Sequence, residues 1–303
     1  MDGILNINKE KGYTSHDVVA VVRRTLQQKK VGHTGTLDPD AEGVLPICLG
    51  KATRLADDIM AAHKVYRAVL TLGVTTDTED ASGEILEQKP VDFDEEAIQE
   101  AVDNFVGEIQ QIPPMYSAIK IQGKKLYQLA REGKEIERAP RNVTIHDIKI
   151  QKFLPPNQLE MDIYCSKGTY IRTLCADIGK KLGCGGHMAS LIRLASGGFK
   201  LEDAITLDEL KRLKEEDRLS EALIPMDEVL KEYNKVIVKE EGTKLLYNGG
   251  KIYTYFFEKT DRPVMLGEKV LGYDSKLQFM GIYQIATEKE QDRLYMKPLK
   301  ILR

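Results

Sequence analysis

The sequence predicts an α+β protein in two parts, a large domain over residues 1–233 and a small β-rich domain over residues 234–303. Three observations carry this reading. Strand-like alternation and helical stripes interleave through the first part. From Lys235 the pattern changes to short alternating stretches (Val236 to Val238, Lys251 to Phe256, Val270 to Tyr273, Phe279 to Ile285). Asn248-Gly249-Gly250, Gly267 and Gly281 separate them, which is the punctuation of a compact β unit. At 303 residues the chain can hold one large core and a lesser one, and its composition is that of a globular protein.

In chain order, Ile4 to Asn8 reads as a short strand. Thr14-Ser15-His16-Asp17 caps a helix whose Val18, Val19, Val22 and Leu26 share one face, with His16 as a helix-start residue. Lys51 to His63 reads as a further helix. Val65 to Leu72 alternates, and Tyr66 falls with Ala68, Leu70 and Leu72 on the inward face. Thr75 to Glu84 is a polar loop that opens an acidic stretch running to Glu108, expected to face away from a polyanion. Ala97, Ile98, Ala101, Val102 and Phe105 make an amphipathic helix closed by Gly107. Leu159, Met161, Ile163 and Cys165 form the buried face of a strand. Ile171, Leu174, Cys175, Ile178 and Leu182 form a helical stripe that stops at Gly183. Thr206-Leu207-Asp208-Glu209 is a capping box before Leu210 and Leu213.

Two segments carry chemistry. His33-Thr34-Gly35-Thr36-Leu37-Asp38-Pro39 leads through Gly43 into the apolar run Val44 to Leu49, so polar groups stand directly on a support that reads as buried. Asp38-Pro39 is a good turn pair, and Asp38 is either a turn former or a catalytic carboxylate held by the turn. A phosphate loop does not fit, because Leu45 and Ala52 stand where such a loop needs Gly and Ser or Thr. Second, Arg172 falls in the first turn of its helix, where a cation opposes the dipole at about 0.3–1 kcal/mol when exposed; that mismatch argues for an anionic partner.

Charge excludes little overall, the net being −3, but it is uneven. From Lys120 to Lys152 nine basic residues face four acids, a local balance suited to phosphates. No apolar run approaches the length of a membrane span, and the N-terminus lacks a basic-then-apolar leader, so no membrane partner and a cytoplasmic location are expected. Cys48, Cys165, Cys175 and Cys184 show no paired metal spacing, and no metal site is expected; Cys48, Cys165 and Cys175 sit within apolar patterns and are expected to be reduced core thiols.

The segment His33 to Pro39, with Ala41, Gly43, Leu45-Pro46 and Gly50, resembles the signature of the TruB family of bacterial tRNA pseudouridine-55 synthases. The likeness continues in Tyr66-Arg67, in Ile112-Pro113-Pro114-Met115-Tyr116-Ser117-Ala118, in Lys167-Gly168-Thr169-Tyr170-Ile171-Arg172, and from Gly183 to Arg193. Glu10 departs from it, since the family usually has Pro after the first Lys.

The resemblance implies a mixed-sheet catalytic domain with an inserted, RNA-closing thumb at about 120–152, followed by a PUA-like RNA-binding domain. It implies isomerisation of uridine-55 in the tRNA T-loop by base flipping. Asp38 is then the essential carboxylate, Arg172 pairs with it, and Tyr66 lies against the target base. Tyr170 and the backbone of Leu191 line the base pocket, and His33 enters the RNA loop in place of the flipped base. His187 reads as local structure. The reaction loses no group and changes no oxidation state, so no cofactor is required. The expected partner is the T-stem–loop of tRNA, with no obligatory protein partner and a monomeric chain. Two other functions fit less well: a non-catalytic tRNA-binding or folding factor, and a guide-RNA-dependent relative.

Overall fold

The computed structural model of the chain describes residues 1–117, 119–121, 123–288 and 293–302. Ala118 of the Ile112–Ala118 motif and Gln122 of the basic segment lie outside the described residues, as do the side chains of Lys120, Ile121, Lys125 and Arg131.

A ten-stranded mixed sheet dominates residues 1–233, and a six-stranded sheet occupies the C-terminal part. In the large sheet the order runs Leu223–Ile224, Gly3–Lys9, Glu42–Leu49, Gly186–Ser196, Lys64–Leu72, Gln158–Cys165, Arg141–Leu154, Gly107–Gln111. Neighbours are antiparallel except Gly186–Ser196 with Glu42–Leu49, which run parallel. That strand therefore lies between the one that leaves the Asp38 loop and the one that carries Tyr66. All residues of Glu42–Leu49 after Glu42 are buried, as expected of a strand covered on both faces.

Helices cover the sheet. Ser15–Leu26 begins at a reciprocal Thr14–Asp17 capping box and buries Val18, Val19 and Val22 against Ile7, Leu45 and Leu210. Ile171–Lys181 buries Ile171, Leu174, Cys175 and Ile178 in a second cluster with Leu70, Met161 and Ile163. Leu174 is fully buried, and Leu174→Ala would cost about 2–5 kcal/mol through lost transfer energy and the cavity left behind. Leu271, Tyr273, Ile282 and Leu302 of the small sheet pack with Ile4, Val44 and Leu55 of the large part, so the two sheets share a core. Lys300 pairs with Asp58, and Arg54 donates to the Ile301 carbonyl across the same junction.

Several expectations need correcting. Residues 141–152, placed in a basic insert by sequence, belong to the fourteen-residue strand Arg141–Leu154 between Gly107–Gln111 and Gln158–Cys165. Val143, Ile145 and Ile148 are buried there, and this apolar pattern overrides the charges interleaved with it. The remainder is a hairpin, Lys120–Ile121 with Lys124–Lys125, and a short helix, Leu126–Arg131. Gly107 opens a strand and does not close the preceding helix, which is Glu95–Asp103 with its cap at Asn104. Lys51 to His63 is a 3₁₀ segment, Gly50–Leu55, followed by a short helix, Ala56–Met60. The small part also contains a helix, Glu240–Tyr247, that alternation alone did not suggest.

Candidate active site

Residues 34–41 connect the paired strands Val31–His33 and Glu42–Leu49, and the main chain on each side of Asp38 is tied to a different element. Leu37 exchanges hydrogen bonds with the Ser15 hydroxyl, its N–H donating at 2.9 Å and its carbonyl accepting at 3.2 Å. The Pro39 carbonyl accepts from the Gly12 N–H at 2.9 Å and from the Lys9 ammonium at 3.0 Å. Lys9 also donates to the carbonyls of Tyr13 and Glu10 at 2.7 and 3.0 Å. It is fully buried, and burial pushes its pKa down to about 8 against the pull of Glu42, Asp38 and Asp40. The turn itself closes with the Ala41 N–H donating to the Asp38 carbonyl at 3.1 Å. Asp38 thus projects from a bend that Ser15 and Lys9 hold from behind.

The Arg172 guanidinium meets it, Nε to Oδ2, at 3.1 Å. Arg172 is 5% exposed, which rules out a solvated surface arginine. Its remaining donors reach the Thr78 carbonyl at 3.1 Å, the Tyr116 carbonyl at 2.8 Å and the Asp80 carboxylate at 3.5 Å. One planar fork therefore joins the Asp38 loop, the loop at 75–84 and the segment at 112–117. The dipole mismatch inferred from sequence is answered by two carboxylates.

Asp80 is a site residue that sequence reasoning missed. It was grouped with an acidic stretch expected to face away, yet it is turned inward. Its Oδ1 accepts from the hydroxyls of Thr78 and Ser82 and from the Ser82 N–H, at 2.6–3.0 Å, leaving Oδ2 toward Arg172. Glu79 beside it adopts φ +62° and accepts from the Thr173 hydroxyl at 2.6 Å. The available signal was the close spacing of Thr78, Asp80 and Ser82, which favours local side-chain turns.

Burial pushes the Asp38 carboxyl above its ordinary pKa; Arg172 and Lys9 pull it down, while Asp80 and Asp40 add to the rise. The expectation that Arg172 keeps this acid ionised is therefore only part of the balance. A carboxylate whose pKa is pushed above its ordinary value by burial is a stronger base than one in bulk solvent. Its side chain retains 40% exposure, so it remains accessible to a substrate.

Tyr66 is 9% exposed and belongs with Leu191 to the buried cluster that also takes in Leu37 and Ala41 from either side of Asp38, so two of the sequence-predicted site residues share a core with the loop. Burial raises the Tyr66 phenol pKa; the nearby Arg193 opposes this, and the Asp38 charge adds to it. Tyr170 caps the helix of Arg172. Its N–H donates to the Gln111 side chain at 3.0 Å, and its carbonyl accepts from the same amide at 3.1 Å. Gln111, 1% exposed, is a second residue that nothing local in the sequence marked. His33 stands at the start of the loop with its Nδ1 accepting from the Gly35 N–H at 3.3 Å. Its ring contacts His16 edge-on at 5.2 Å between centroids, so His16 is more than a helix-start residue. Burial, then His16, lowers the His33 pKa. His187 is placed away from this group, its ring nitrogen 3.0 Å from the Val74 carbonyl.

Residues 23–171 match the family described as TruB family pseudouridylate synthase, N-terminal domain, and residues 172–231 match the tRNA pseudouridylate synthase B C-terminal domain. A protein named tRNA pseudouridine synthase B from Alkaliphilus oremlandii is 51% identical over 303 residues, covering 100% of this chain and 99% of the relative. One of the same name from Staphylococcus epidermidis is 45% identical over 309 residues, covering 99% of each chain. Among solved structures, a chain of an H/ACA RNP bound to a substrate RNA containing 2′-deoxyuridine superposes with a TM-score of 0.76 at 26% identity, covering 99% of this chain and 85% of that one.

Proposed function

This chain belongs to the TruB family of pseudouridylate synthases, and from that premise we propose that it isomerises uridine-55 in the T-loop of tRNA to pseudouridine. The reaction breaks the N1–C1′ bond, turns the base and rejoins it through C5, so every atom of the nucleotide is kept. The observation that carries the reading is an accessible carboxylate, Asp38, paired with the buried Arg172 beside the buried Tyr66. A protein that only bound RNA would have no use for a partly buried acid aimed by a guanidinium that three segments fix in place.

In this reading the substrate nucleotide leaves its stack and lies between Tyr66, Tyr170 and Leu191, with Asp38 reaching the sugar or base. Arg172 aims the carboxylate, and Asp80 aims Arg172. His33 fills the space the base vacates. Residues 234–303 act as an RNA-binding module behind the catalytic residues 1–233, and the basic hairpin and helix over 120–131 close on the RNA backbone. The chain works alone, as a monomer. A tRNA substrate is supported by the relative named tRNA pseudouridine synthase B at 51% identity, whereas the H/ACA RNP chain is similar at 26%.

Purified chain incubated with an unmodified tRNA carrying labelled uridine, followed by mass-spectrometric mapping, tests the whole reading. Conversion at position 55 is expected, together with loss of turnover and retained tRNA affinity in Asp38→Asn. Conversion elsewhere refutes the position; no conversion, or full turnover by Asp38→Asn, refutes the activity or its mechanism.

A further inference from the structure

Arg193 is the largest fully buried side chain of the described residues, at 1% exposure, and no step above uses it. It sits midway along Gly186–Ser196, opposite Gly43 in the parallel pairing and opposite Tyr66 in the antiparallel one. Its Nε donates to the Val44 carbonyl at 2.7 Å and its Nη2 to the Gly35 carbonyl at 3.4 Å, so one guanidinium holds both ends of the Asp38 loop. The loop closes against it most tightly at Gly43. Gly35 has φ +132°, and a Cβ there would stand 3.6 Å from Nη1. Gly43 has φ +102°, and a Cβ there would overlap the Arg193 main chain, 2.8 Å from its nitrogen and closer still to its oxygen.

Its charge is felt by the ionisable nitrogens of Lys9, Lys64 and His33, each of whose pKa it lowers. No carboxylate pairs with it among the described residues. A buried guanidinium given only main-chain oxygens is costly and is retained where negative charge has to be met. The acidic hydroxyl within its reach is the Tyr66 phenol, on which Cys165 and Asp38 also act. Tyr66 is the register partner of Arg193 on the neighbouring strand; arginine only donates, so a phenol oxygen that meets it serves as the acceptor, which frees the phenol hydrogen for the base pocket.

We propose that Arg193 is a positioning residue for the isomerisation: it locks the Asp38 loop to the strand of Tyr66 and fixes the Tyr66 phenol as a hydrogen-bond donor toward the flipped base. This rests on the function proposed above and extends it to a residue outside the Asp38–Arg172 pair. The guanidinium sets the distance between the two reacting side chains, and it favours any negative charge that gathers on the phenol oxygen.

The test uses R193M, R193K and Y66F, and the double variant R193M/Y66F, on the full chain. Single-turnover conversion of tRNA should fall about 10²-fold in R193M, the size expected for loss of one preorganised donor, with tRNA affinity unchanged. In the Y66F background the further loss on adding R193M should shrink to less than about tenfold, because the partner is gone. Ultraviolet difference titration, with Y66F as the blank, should move the Tyr66 ionisation to higher pH in R193M and part of the way back in R193K. Equal losses in both backgrounds, or an unmoved phenol titration, would reduce Arg193 to a loop brace and overturn the proposal. Wild-type turnover by R193M would do the same. If R193M does not fold, R193K carries the test, with a reduced rate and a raised phenol pKa expected and no change overturning the proposal. A wild-type chain that makes no pseudouridine would refute the function instead, and the phenol titration would still decide whether Arg193 controls Tyr66.

Discussion

Replacing Arg172 by Met removes the group on which three segments converge. The change keeps the apolar stem of the side chain, but two carboxylates and the carbonyls of Thr78 and Tyr116 lose their donor. Taking one partner from a buried pair costs about 3–5 kcal/mol. Asp38 retains 40% exposure, so water replaces part of what it loses, and the expected destabilisation lies at the lower end, about 3 kcal/mol. Relief of the helix dipole returns only about 0.3–1 kcal/mol and does not reverse the sign. Turnover should fall by about 10²-fold or more, since a carboxylate misplaced by an ångström loses most of its advantage. The pH dependence has a definite direction. Burial already holds the Asp38 pKa up and Arg172 holds it down. Without the guanidinium it rises further, so the acid limb of the rate profile moves to higher pH. Urea unfolding, single-turnover kinetics across pH and tRNA binding measure the three effects. An acid limb that stays in place, or a variant with the wild-type rate, would refute the assignment of Arg172 as the partner that sets the charge and aim of Asp38.

His33→Ala should slow turnover without abolishing it, measured by single-turnover conversion; a loss as complete as that of Asp38→Asn would make the imidazole a chemical participant. Lys9 has a folded pKa of about 8 against an ordinary 10.5, so between those values the unfolded chain holds the proton that the folded chain has lost. Its contribution to stability therefore rises with pH across that window. Urea unfolding of wild type and Lys9→Met should show the gap moving in favour of wild type from pH 8 upward, and a gap moving the other way would contradict the burial argument. Limited proteolysis within residues 123–140 should slow when tRNA is added, and unchanged cleavage would remove this segment from the RNA contact.

Much of the architecture was legible because periodicity reports burial directly. The alternation of Val65 to Leu72 placed Tyr66 inward, and the stripe after Ile171 placed a helix behind Arg172. Where apolar and charged residues interleave without a clean period, as in Arg141–Leu154, local charge misled, since only the two flanking strands decide which residues are covered. The site divided in the same way. The Asp38-Pro39 bend before a buried strand is written in adjacent residues and left Asp38 as either a turn former or a catalytic carboxylate; the likeness to the family chose between the two. Asp80, Gln111, Lys9 and Arg193 carried no comparable local mark.

By itself, then, the sequence determined the segments whose apolar period is clean, and its likeness to a family marked which acid, arginine and tyrosine were candidates for chemistry. Tertiary structure alone decided who holds them. Lys9 meets Pro39 across 30 positions, Arg172 meets Thr78 across 94, and Arg193 meets Val44 across 149. Support of this kind depends on distances in space between groups remote along the chain. Periodicity, which senses only the face on which a residue lies, holds no information about those distances.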